Sequence, residues 1–134
     1  MASNVQNLFK TNAELETKGI VLDYGEFKIN IARAGGANKA FAKCLEKKSR
    51  PLRRAIQSEM LDNEAAENLM AEVYAESVVL GWEGIKVDGK KLDFSKENCL
   101  ALFKQMPDLL RDIMDQAGKM ALFREDIRDA SAKN

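Results

Sequence analysis

The stretch Leu69–Pro107, LMAEVYAESVVLGWEGIKVDGKKLDFSKENCLALFKQMP, constrains the fold more than any other part of the chain. It reads as a helix, an abrupt stop, a tight hairpin and a capped helix. Leu69, Val73, Tyr74, Ser77, Val78 and Leu80 lie close to the three-and-four spacing of a helix with one buried face. Gly81 and Gly84 bracket Trp82 and are expected to end that helix, because glycine adopts left-handed backbone angles without a Cβ clash. Ile85 and Val87 then alternate with Lys86, and Asp88-Gly89 supplies the positive-φ pair of a two-residue hairpin turn. Leu92 and Phe94 return along the second strand. Ser95 can cap the following helix with its side-chain oxygen, and Glu97 in the first turn suits the helix dipole. Trp82, the only tryptophan, stands where these elements meet and is expected to be the buried anchor of the corner.

The remaining sequence is patterned around this centre. Residues 1–12 are polar and are expected to be a mobile N-terminus. Leu15–Ala34 is strand-like, with Ile20-Val21-Leu22 and then Phe27, Ile29 and Ile31 flanking an Asp23-Tyr24-Gly25-Glu26 turn. Gly35-Gly36 is a hinge into a helix over Asn38–Arg50, with Phe41, Cys44 and Leu45 on one side and Lys39, Lys43, Glu46 and Lys47 on the other. Pro51 reads as the first-turn residue of a second helix whose apolar face runs through Leu52, Ala55, Ile56 and Met60. Asp62-Asn63 ends or kinks it. A short helix over Lys96–Gln105 follows the second hairpin, carrying Cys99, Leu100 and Phe103. Pro107 opens a closing amphipathic helix that carries Leu109, Leu110, Ile113, Met114, Ala117, Met120, Ala121, Phe123 and Ile127. Ordering the backbone of such a helix costs more than its own contacts return, so it must dock on its own domain or on a partner. The expected fold class is mainly α: a helical single domain over residues 13–127 with one or two short β-hairpins, α+β being the alternative. Residues 128–134 form a polar C-terminal tail.

Composition removes several function classes. A chain of 134 residues is the size of one domain. It has no histidine and only two cysteines, Cys44 and Cys99, both beside apolar neighbours in helical sequence. That leaves no zinc set and no common general base, so no catalytic residue, metal or cofactor is expected. Lysine plus arginine balance aspartate plus glutamate at 21 each, which argues against a dedicated nucleic-acid binder. MASNVQNLFK has no signal-peptide core, and no run approaches a membrane span, so an intracellular protein is expected. The densest basic cluster is Lys43, Lys47, Lys48, Arg50, Arg53 and Arg54. Within it Lys43, Lys47, Arg50 and Arg54 share one face if the Pro51 junction is nearly straight. That face is either a contact for an acidic partner or RNA phosphates, or a solvated surface offset by Glu46 and Glu59. Asp108, Asp112 and Asp115, with Arg111 between them, read as helix-dipole complements and not as an acid–base pair. Met60, Met70, Met106, Met114 and Met120 suit either core packing or an adaptable surface for apolar partners.

Taken together, Gly81, Trp82, Gly84, Asp88, Gly89, Phe94, Ser95, Glu97, Asn98, Pro107 and Leu110 resemble the tail assembly chaperones of long-tailed (siphovirus-type) bacteriophages. The likeness covers Leu69 to about Phe123 well and the first half loosely. It implies a protein of a phage or prophage that binds the tape measure protein in the host cell cytoplasm. It further implies recruitment of the major tail (tube) protein and absence from the mature virion. The family often makes a second, longer product by frameshifting, for which the tail after Ile127 is a sensible junction. Met114, Met120 and Phe123 are the expected client contacts, self-association adds avidity, and no membrane partner is implied. Two rival readings stand beside it. One is a small helical regulatory or nucleic-acid-associated protein using the basic cluster 43–54. The other is a structural tail completion protein.

Overall fold

A computed structural model describes Val5 and residues 10–124. Asn12 accepts from the backbone amides of Glu14 and Leu15 and so starts a short helix, α1 (Ala13–Lys18). Strands β1 (Ile20–Asp23) and β2 (Lys28–Ile31) form the first hairpin, in register from Ile20 opposite Ile31 to Asp23 opposite Lys28. Period-two alternation in β2 sends Ile29 and Ile31 into the core, where both are buried. Gly35 and Gly36, both at positive φ, then turn the chain into α2 (Lys39–Ser49). Pro51 lies in a 3₁₀ turn, Arg50–Leu52, which leads to a one-turn helix α3 (Arg53–Gln57). Asp62 accepts from the amide of Ala65 and caps the longest helix, α4 (Asn63–Ser77). Then come β3 (Val79–Glu83), the small hairpin β4 (Lys86–Val87) and β5 (Lys90–Lys91), α5 (Lys96–Gln105) and α6 (Pro107–Ala117).

β3 pairs antiparallel with β2, so the first sheet has the order β1-β2-β3, with a bulge at Asn30/Ile31. Helix α4 is packed by α2, α5 and α6. Its buried side chains, among them Leu69, Val73 and Tyr74, join Ile29, Ile31, Cys99, Phe103 and Ile113 in one core. The fold is α+β, the alternative weighed for the sequence.

Several expectations are corrected. The helix does not run to Gly81: it stops at Ser77, and Val79–Glu83 is a strand. The backbone groups of β2 need partners, and they find them where Ile29 faces Trp82 and Asn30 faces Gly81. Gly81 therefore has no left-handed angle, whereas Gly84 has φ +84 and a Cβ there would lie 2.8 Å from the Glu26 carbonyl oxygen. Trp82 is half-buried, on a strand instead of at a helix end. The strand pattern from Leu15 gives way to helix up to Lys18, because Asn12 caps that turn. The Pro51 junction is interrupted by the 3₁₀ turn, and the apolar face beyond it is covered only in its first half: Leu52 packs on the core, whereas Ile56 is 42% and Met60 79% exposed. The closing helix stops at Ala117, whose carbonyl accepts from the Ala34 amide. The chain then bends through a 3₁₀ turn, Met120–Phe123, that returns Phe123 to the interior against α1. Among the expected termini, residues 1–4, 6–9 and 128–134 lie outside the described residues, as does Ile127.

Candidate functional site

The junction of α5 and α6 opens a groove of about 460 Å³ facing the β4–β5 hairpin. Phe27, Ile85, Val87, Leu102, Met106 and Leu109 line it, with Lys86, Asp88 and Asp108 at the rim. Each wall follows from local chemistry. Asp88 and Gly89 take φ of 53 and 77, the positive pair required by the tight turn, so Val87 is held beside Ile85. The hairpin is pinned from behind, where Trp82 Nε1 donates to the Leu92 carbonyl at 2.8 Å and the ring meets Phe94 edge-on at 5.0 Å. Ser95 Oγ accepts from the Asn98 amide at 2.9 Å and fixes the start of α5. At the other end Pro107 disfavours helical angles at the preceding residue. Met106 therefore lies at φ −124, between the helices, with half of its surface exposed at the groove mouth.

A second, smaller groove of about 200 Å³ lies on the other side of Pro107, between α4 and α6. Ala66, Met70, Leu110 and Met114 line it, and Arg111 closes one edge by donating to Glu67 at 2.8 Å and Asp108 at 2.6 Å.

Of the expected client contacts, Met114 lies in the smaller of these two grooves. Met120 is half-buried in the final 3₁₀ turn, and Phe123 is fully buried in the interior. The basic residues divide. Lys48 pairs with Glu76 and Arg50 with Glu46, whereas Lys43, Lys47, Arg53 and Arg54 make no ion pair among the described residues. Arg50 holds the Glu46 carboxyl below the usual carboxylate range through a hydrogen bond and its charge. The residues of the larger groove are the ones that sequence reasoning missed. Met106-Pro107 was the available signal, since a methionine that proline excludes from both helices has to sit at their junction.

The grooves offer apolar surface and few reactive groups. Burial pushes the Cys99 thiol up to about 12, and burial with a hydrogen bond to Glu76 raises that of Cys44, so neither is an activated nucleophile. Among the described residues no group of acidic, cysteine or histidine side chains is placed to hold a metal, and no helix is long and apolar enough to cross a membrane. What this arrangement can do is accept apolar side chains from a partner.

A family model described as YdaY prophage protein matches residues 36–134. No curated protein and no solved structure matches the chain.

Proposed function

The chain belongs to the YdaY prophage protein family, and from that premise we propose that it is a tail assembly chaperone. It binds apolar helical segments of the tape measure protein in the host cytoplasm, keeps them soluble until major tail protein subunits replace it, and stays out of the finished virion. The observation that carries this reading is the groove of about 460 Å³ between the β4–β5 hairpin and the α5–α6 junction. Its mouth is a half-exposed methionine, Met106, on a flexible side chain that adapts to different apolar shapes. A client with many dissimilar apolar turns calls for such tolerance rather than for one tight fit. Of the residues that resemble tail assembly chaperones, Asp88 and Pro107 line this groove, and Trp82 and Ser95 hold the hairpin and the start of α5 that carry its walls.

The test is co-expression with the tape measure protein of the same prophage, reading the fraction of that protein left soluble. Wild type should raise it several-fold. Met106→Glu with Val87→Glu puts charge into the groove and should abolish the effect, while the circular dichroism of the isolated chain stays unchanged. An inactive wild type would refute the proposal, and full activity of the double variant would refute the groove.

A further inference from the structure

The protein has no net charge, yet its charges are sharply segregated. Residues 39–54 hold seven lysines and arginines against one carboxylate, Glu46, whereas residues 62–77 hold five carboxylates and no cation. The basic segment ends in an element that the described residues leave largely uncovered. Among the described residues, helix α3 packs on little beyond the 3₁₀ turn before it and leaves Ile56 and Met60 exposed. Its end is a defined shape and not a frayed one. The Met60 amide reaches back to the Ala55 carbonyl at 2.8 Å and the Glu59 amide to Ile56 at 3.2 Å. This cap places Glu59 at φ 56, a left-handed angle that a non-glycine residue holds only at a cost. The outcome is a knob with an apolar tip, Ile56 and Met60, beside Arg53 and Arg54, which make no ion pair among the described residues.

The complement lies a few residues further along the same chain. The smaller groove is lined by Ala66, Met70, Leu110 and Met114, and at its edge Glu67 accepts from Arg111 at 2.8 Å. Glu64, one turn earlier on α4, makes no ion pair among the described residues. The knob ends at Met60, two residues before the Asp62 cap of the helix that forms one wall of this groove. The chain thus carries a basic knob with an apolar tip and an apolar groove one wall of which is α4, a helix with carboxylates and no cation. Two copies facing each other across a two-fold axis can exchange them reciprocally, knob into groove and groove onto knob, and so close the assembly.

We propose that this chain forms a two-fold dimer in which Ile56 and Met60 of each copy enter the Met70–Met114 groove of the other, with Arg53 and Arg54 opposite Glu64 and Glu67. The exchange leaves the larger groove at Met106 free, so it does not depend on the client-binding proposal. A nucleic-acid occupant is disfavoured by the apolar tip and by the lack of aromatic residues for base stacking.

Sedimentation velocity on the full chain tests this. Wild type should sediment at twice the chain mass of 15.0 kDa and dissociate as salt screens the charged rim. Met60→Ser, at a position with no packing to lose, should weaken the dimer by roughly tenfold or more. Arg53→Glu with Arg54→Glu should be monomeric, and so should Glu64→Lys with Glu67→Lys. Mixing these two charge-reversed proteins should restore a dimer, a rescue that misfolded variants cannot give. A monomeric wild type, charge-reversed proteins that dimerise separately, or a mixture that stays monomeric would each overturn the proposal. A monomeric wild type whose Arg53/Arg54 variant loses tape measure solubility would overturn it too, and would assign the knob to the client.

Discussion

Asn38 illustrates how one side chain joins distant parts of this chain. Its Nδ2 donates to the Arg33 carbonyl at 2.8 Å and to the Ser77 carbonyl at 3.0 Å, and the residue is buried. These bonds tie the end of the first hairpin to the end of α4, where the chain turns into β3. Asn38→Ala should cost about 1–3 kcal/mol in denaturant unfolding, since it strands buried carbonyls. Asn38→Asp should be no better, because a carboxylate cannot donate to them. Trp82 contributes through an edge contact with Phe94 and a hydrogen bond to Leu92. Trp82→Phe should therefore cost about 1 kcal/mol, and Trp82→Ala about 3 kcal/mol, at the low end for a large aromatic because the site is only half-buried. Equal melting temperatures for wild type and Trp82→Ala would show that the hairpin is held without it.

At the scale of elements, local caps and turns account for most boundaries. Asn12, Asp62 and Ser95 each accept from an amide in the first turn of their helix, and Pro107 occupies the first turn of α6. The Ser95 and Pro107 ends are legible because the chemistry lies within a few residues, whereas in the sequence Asn12 reads as part of a mobile terminus and Asp62 as the end or kink of the preceding helix. Ser95→Ala should lower stability by about 1 kcal/mol. Because α5 forms one wall of the larger groove, that variant should also weaken client rescue, with amide exchange accelerated first at Glu97 and Asn98. The ends of α4 and α6 were misjudged for the converse reason. Val79–Glu83 becomes a strand only because β2 lies alongside, and α6 stops at Ala117 where Ala34 meets its carbonyl. Neither partner is near in sequence.

Across the whole molecule, the first hairpin is latched to α6 by the Tyr24 hydroxyl, which donates to Asp112 at 2.6 Å. Burial, and then this bond to a carboxylate, raise the Tyr24 phenol well above its ordinary value, and burial also raises that of Tyr74. The fold thus favours the protonated phenol. Stability from this source is complete below the unfolded value of 10.0 and declines as pH rises above it, because the unfolded chain then loses protons that the folded chain keeps. A phenolate absorbance titration should show no ionisation step near that value while the protein is folded. Tyr24→Phe should flatten the alkaline loss of stability. A normal step for both tyrosines would contradict the latch.

The sequence by itself determined what short-range chemistry governs. The first hairpin with Ile29 and Ile31 inward, the Asp88-Gly89 turn, the Ser95 cap and the Pro107 start all rest on residues a few positions apart. Tertiary structure alone decided the third strand of the sheet, the burial of Phe123, the exposure of Ile56 and Met60, and the Met106 groove. The physical reason is the same in each case. Backbone pairing and burial depend on which surface lies opposite, and helical periodicity in Leu69–Leu80 could not register that β2 would claim its last residues for a sheet.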